Sequence, residues 1–280
     1  MVDIFSNKKI SKFLFYFILV VIFCGVLFPI YWMGITSLKT DLELYSQETS
    51  KLIVLDLSTE SYIELIKEEK FLMYYLNSLV VVGGAIAISL VISLLASYSL
   101  GRIQPPGHSI IIGTLWFSYL LPICLLMLPM FFLLQQLRLV NSSFGLTLTY
   151  VSYLVPFATW LLVGYIQTIP TELEDAAKID GCGHLGIMFK ILVPLMLPGI
   201  ITVLIFGFTM GWNIFLYPFV FISTNSKQLL PVAIQNLQRG DVYPWQKLMG
   251  AGIMTSIPPM LFMIFVHRYM IRGLTAGAIK

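Results

Sequence analysis

The sequence predicts an all-α integral membrane protein: six transmembrane helices, with a short cytoplasmic helix between spans four and five. Three observations carry that expectation. Of the 280 residues, 58% are hydrophobic and only 11% charged, whereas a soluble domain carries about 25% charged residues. Mean hydropathy is +0.88, so polar groups could not cover a folded surface and water is not the main solvent. Charged residues also cut the chain into long uncharged stretches, which place spans near 13–38, 71–100, 109–136, 146–169, 191–222 and 248–268. Each reaches the roughly 20 residues that a helix needs to cross about 30 Å of hydrocarbon. Polar and apolar residues do not alternate along them, which argues against a membrane barrel.

The first span follows Lys8, Lys9 and Lys12. It is too long for a signal-peptide core and shows no Ala-x-Ala exit, so the lysines argue for a cytoplasmic N-terminus. An even number of spans then puts the C-terminus, with Arg268, Arg272 and Lys280, on the same side. The external loop 39–70 holds eight acidic residues. Within it, Ser61-Tyr62-Ile63-Glu64-Leu65-Ile66 begins an amphipathic stretch, read as an interfacial helix or as a docking surface for an external partner. Asn141-Ser142-Ser143-Phe144-Gly145 reads as the turn before the fourth span, and its glycosylation pattern is incidental.

The acidic residues exclude more than they include. Asp3 is N-terminal, eight lie in 39–70, four in 172–180, and Asp241 lies between spans five and six. None falls inside a span, where gradient-driven transporters often keep a carboxylate. A channel, a passive scaffold or a pump driven by another subunit fits better. A gradient-driven carrier that uses backbone carbonyls stays open as an alternative. The net charge of +3 is too mild to indicate nucleic acid. Cys24, Cys124 and Cys182 form no CxxC pair, so neither zinc nor a disulfide framework is indicated.

The loop 170–190 is more than a linker. Thr171 and Glu174 have capping-box spacing, Pro170 precedes them, and Glu174 stands four residues before Lys178. Gly181 sits where a helix would end. So short a helix must lie at the membrane surface. Ala176-Ala177 would let another backbone approach it, with carboxylates alongside. Phe189, Pro194 and Pro198 follow, and the prolines would kink or restart span five.

Glu174-Asp175-Ala176-Ala177-Lys178-Ile179-Asp180-Gly181, with Phe189, Pro194 and Pro198 at their spacings, resembles the EAA loop of ABC importer permeases. Asp175 stands where that family carries glutamate. The tail Arg272-Gly273-Leu274-Thr275-Ala276-Gly277-Ala278-Ile279-Lys280 and Trp212-Asn213-Ile214-Phe215 resemble carbohydrate permeases of the maltose-transporter type. Ile214 stands where such chains often carry an acidic residue.

The resemblance implies a single transmembrane domain over 1–280, half of a sugar pathway in a bacterial or archaeal inner membrane. It implies four kinds of partner: a second permease subunit of different sequence, two cytoplasmic ATP-binding subunits, an extracytoplasmic sugar-binding protein and the sugar itself. ATP and magnesium would be held by the partners, and this chain would bind no cofactor. Loop 170–190 would be the coupling loop. Its ATPase contacts would be Glu174, Asp175, Ala176, Ala177, Asp180, Gly181 and Gly183, joined by Leu274 and Thr275 of the tail. Tyr153, Trp160, Trp212, Asn213 and Tyr217 are the pathway candidates, because sugars are held by aromatic faces and amide groups. Gly273 and Gly277 are expected to keep the tail from forming a stable helix.

Two further motifs carry no chemistry. Gly181-Cys182-Gly183-His184-Leu185-Gly186 matches GxGxxG, but it follows a helix rather than a strand. No GxxxxGK[S/T] occurs. His108, His184 and His267 are scattered near span ends and read as interfacial side chains, not metal ligands.

Overall fold

The computed structural model describes residues 8–46, 51–67, 69–238 and 243–276, with side chains from 12 to 266 within those ranges. Every regular element among them is helical. In chain order these are α1 (Lys8–Ser37), α2 (Asp41–Tyr45), α3 (Glu60–Lys67), α4 (Phe71–Tyr98), α5 (His108–Leu120), α6 (Ile123–Gln136), α7 (Ser143–Gln167) and α8 (Glu172–Ile179). There follow α9 (His184–Ile187), α10 (Val193–Leu195), α11 (Leu197–Asn213), α12 (Leu216–Phe221), α13 (Leu230–Asn236) and α14 (Trp245–Ala276). Wide π-helical turns extend α4 over Ser99–Ile103 and join α9 to α10 over Met188–Leu192.

Among the described residues, four helical stretches are long and apolar enough to cross a membrane: Lys12–Ser37, Phe71–Ile103, Ser143–Gln167 and Trp245–Val266. The expected third and fifth spans are each broken in two. α5 and α6 meet at 103°, and His184–Leu195 meets α11 at 74°, so the number of crossings reaches six when each bent pair counts as one. The chemistry of the breaks is proline. Leu121 precedes Pro122 and is extended (ψ 130°), because the proline ring disfavours the helical region for its predecessor. Pro198 has no N–H to give to Pro194, and the helix interrupts at Met196.

Residues 1–71 and 234–256 form one compact unit, and 72–233 with 257–280 form another. In the first, residues 13–31 of α1 are exposed almost all round, as a helix made for lipid should be. The following loop is ordered by Glu43, whose carboxylate accepts from Leu55 N (3.0 Å) and Asp56 N (3.1 Å) and meets Lys39 Nζ at 3.3 Å. The expected amphipathic helix is α3. It buries Ser61 and Leu65, and Ser61 Oγ donates to Ser37 O at 2.8 Å.

The second unit packs α7 against α4, α5 and α11. Its core joins Leu94 and Tyr98 of α4 to Ala158, Leu162 and Ile166 of α7, and to Ala177, Ile187, Met188 and Leu192 of the segment between α7 and α10. Close approach depends on Gly199, where a Cβ would stand 2.6 Å from Tyr165 Cγ. Gly199→Ala should therefore force that ring aside, at a cost of about 1–3 kcal/mol. A lowered melting temperature in detergent checks this, and an unchanged one would show that Tyr165 moves freely.

The tail departs from expectation. α14 runs through Gly273 to Ala276, because one glycine costs only about 1 kcal/mol and does not end a helix this long. The side chains of Leu274 and Thr275, and all of 277–280, lie outside the described residues.

Candidate functional site

Loop 170–190 begins with a correction. Thr171 is itself helical (φ −71°, ψ −23°) and its side chain caps nothing, so the expected box does not form. Glu174 turns inward instead. Its Oε1 lies 2.6 Å from Arg102 Nε at the end of α4, and both side chains are largely buried. The same guanidinium donates through Nη2 to the carbonyl of Ile169. A charge-assisted contact with a buried cation outweighs a neutral bond to an exposed amide. Lys178 consequently pairs with Asp175, at 2.9 Å, rather than with Glu174. The hydrogen bond to Asp175 raises the Lys178 pKa above the ordinary lysine value.

The helix end matches its sequence signal. Gly181 has φ +81°, its N–H donates to Lys178 O at 3.0 Å, and Cys182 N–H donates to Ala177 O at 2.9 Å. Those two bonds are the Schellman pattern. Tyr98 OH and His184 Nδ1 lie 2.9 Å apart across the start of the next helix.

Two faces of α8 now separate. Glu174 and Ala177 are buried against the chain's own core, so neither stands at the outer surface as expected. Asp175, Ala176, Asp180, Gly181 and Gly183 are exposed. With them stand Leu173 and Ile179, the latter 88% exposed, and then Leu185 and Phe189. The apolar members of this face were missed, although Leu173 and Ile179 flank Ala176 at helical spacing.

Around α11 the aromatic expectations divide. α11 ends at Asn213, since Ile214 is extended (ψ 117°). Pro218 cannot donate to Ile214 O, and Tyr150 OH takes that carbonyl at 3.3 Å. Asn213 is thus the last residue of α11. It is exposed, and its Nδ2 donates to Thr209 O at 2.7 Å. It lines a cavity of about 290 Å³ with Tyr153, Ile123, Met210 and Phe215. Trp212 does not flank this space: it is 2% exposed, packed on Tyr75 and Phe208. Tyr217 is 1% exposed, between Tyr150 and Phe221. Neither presents a free face to a ligand here, because position in a helix fixes which side turns to the core.

Trp160 lies elsewhere. It lines a second cavity of about 460 Å³ with Ile112, Gly164, Tyr165, Gln167 and Thr168. Among the described residues, no charged side chain lines either space.

Asn141 was read only as a turn residue, yet it ties two loops together. Its Oδ1 accepts from Ser223 N and Thr224 N, its Nδ2 donates to Thr224 Oγ1, and its carbonyl accepts from Lys227 Nζ. Its φ of +57° marks it as a constrained residue.

Residues 93–275 match the family described as the binding-protein-dependent transport system inner membrane component. The chain is 32% identical over 254 residues to the sulfoquinovosyl glycerol transport system permease SmoH of Agrobacterium fabrum, covering 91% of this chain and 89% of that one. It is 30% identical to the diacetylchitobiose uptake system permease DasC of Streptomyces coelicolor, over 93% of this chain and 94% of that one. The trehalose/maltose transport system permease MalG of Thermococcus litoralis is 29% identical, with 94% of each chain covered. Among solved structures, a chain of a bacterial ABC transporter that imports the acidic polysaccharide alginate shares the fold. Its TM-score is 0.79 at 21% identity, with 93% of this chain and 96% of that one covered.

Proposed function

Because the chain belongs to the family of binding-protein-dependent transport system inner membrane components, we propose that it is one of two permease subunits of an ATP-driven sugar or oligosaccharide importer. It forms half of the pathway. The other half comes from a second, different permease chain. Two cytoplasmic ATP-binding subunits hold ATP and magnesium, and an extracytoplasmic binding protein delivers the sugar. This chain supplies no nucleotide site and no catalysis of its own. Both termini are cytoplasmic in this reading, and each bent helix pair crosses once. The hydrogen bonds of the second unit support that count: Arg102 reaches the 169–174 segment, and Asn141 reaches 223–227, as two opposite ends require.

The observation that carries the reading is the two-sided coupling helix. α8 is fixed from behind by Arg102 and offers Leu173, Asp175, Ala176 and Ile179 in front. An ATPase surface closing on ATP pushes that front, and the buried ion pair passes the push to α4 as a rigid body. Leu274 and Thr275 at the end of α14 are proposed as a second contact with the ATPase pair. Loop 39–70 is proposed as part of the external docking surface.

Co-purification of the complex, followed by identification of the solute on its binding protein, tests the reading. Two ATPase copies, a second permease and a bound saccharide are expected; a lone chain with full transport activity would overturn it. Within the pathway, Asn213→Leu should lower sugar uptake about tenfold while assembly and melting temperature persist, as loss of one polar ligand contact of 1–1.5 kcal/mol implies. Falling stability with normal transport by the surviving complexes would make Asn213 structural.

A further inference from the structure

Tyr153, Phe157 and Trp160 follow one another on one face of α7 at i, i+4 and i+7, and Gly164 continues the stripe. Trp116 and Tyr119 of α5, absent from the sequence reading of the pathway, meet that face ring to ring. Trp116 stacks on Trp160 with centroids 4.4 Å apart and planes 28° apart. Tyr119 lies 5.5 Å from Phe157 and 6.3 Å from Tyr153, tilted by 33° and 34°. The seam ends in both cavities described above: Trp160 and Gly164 line the larger, Tyr153 the smaller. From 153 to 160 the helix rises about 10 Å, room for more than one sugar ring.

The rings are not sealed as a packing seam would be. Trp116 keeps 38% of its surface and Trp160 keeps 41%. Polar groups stand at each end, Gln167 and Thr168 at one and Asn213 at the other. A stripe made only for lipid needs no amides at its ends. A pyranose has apolar C–H faces and a hydroxyl rim, which suits flat aromatic surface with a few hydrogen-bonding groups beside it. The lining carries no cation, so nothing there would compensate an anionic sugar.

We propose that the α5–α7 seam is a two-subsite track for a neutral saccharide, with Trp116 and Trp160 forming the inner subsite and Tyr153 with Asn213 the outer one. The track rests on the permease reading above. A sugar moving along it exchanges ring–ring contacts for ring–sugar contacts of the same kind. Trp116 is thereby a substrate-binding residue that no sequence motif marks.

The test uses the whole complex with its binding protein in proteoliposomes, and labelled maltose, trehalose and diacetylchitobiose as probes. Trp116→Ala should lower uptake about tenfold, whereas Trp116→Phe, which keeps a ring, should stay within about threefold of the parent. Complex yield and melting temperature should match the parent in both variants. Parental uptake by Trp116→Ala overturns the track, as does a loss in both variants that follows a lowered melting temperature. A parent complex that takes up no saccharide, including whatever solute its own binding protein carries, sinks the permease reading and the track with it. A second measurement needs no sugar. In vesicles of brominated phosphatidylcholine, the fluorescence lost in a Trp116→Phe, Trp160→Phe double variant reports the indole pair. Protection of the pair from bromine quenching supports the track, and strong quenching shows that lipid occupies the face and overturns it.

Discussion

Arg102→Gln is expected to uncouple the importer. The substitution leaves the buried Glu174 carboxylate without its countercharge, and breaking a buried pair from one side costs about 3–5 kcal/mol. Glu174 then turns out to water, and the Ile169 carbonyl loses its donor as well. α8 keeps its helix, because its Schellman end does not involve Arg102. What it loses is the strut to α4. Uptake per ATP hydrolysed should fall more than about tenfold, following the free energy of the broken pair, while the complex still assembles. The exchanged pair Arg102→Glu with Glu174→Arg should recover part of the loss, since the charges again meet. A single variant with parental coupling would reduce the pair to a brace.

The second large effect is expected at the outer face of α8. Ile179 is 88% exposed, an apolar side chain that no described residue covers. Ile179→Asp should release the ATPase subunits from the purified permease, since a central interface anchor contributes about 2 kcal/mol or more, roughly thirtyfold in affinity. Asp175→Lys should act in the same direction by reversing the charge beside it. Both leave the core intact, which Ala177→Trp would not, because Ala177 packs against Leu94 and Ile187 within one cluster. Full ATPase recovery with Ile179→Asp would move the docking surface elsewhere.

The spans were legible in the sequence because hydropathy is a property of each residue, summed over a window. Their bends were only half legible. Pro194 and Pro198 announced the break at Met196, but Pro122 gave the sharper bend, 103°, and it reads no differently from other prolines in this chain. The short helix α8 and its glycine end were visible through local rules. Its inner anchor was not, since Arg102 and Glu174 lie far apart in sequence and the local capping rule points Glu174 the wrong way.

Residue type alone also did not say which aromatic lines a cavity. Trp212 and Tyr217 are as aromatic as Trp160 and Tyr153, yet they are core residues. The one available signal was helical phase: Tyr153 and Trp160 share a face of α7, whereas the break at Ile214 removes any phase linking Trp212 to Tyr217. Trp116 and Tyr119 share a face of α5 in the same way.

In the proposed importer, transport requires an ATPase to drive this chain. The most direct measurement is sugar uptake into proteoliposomes holding the complete complex, with ATP at the ATPase side and binding protein at the other, against uptake on a proton or sodium gradient alone. The account predicts uptake that requires ATP and binding protein together and is absent on either gradient. Gradient-driven uptake by this chain without the ATPase subunits would contradict it.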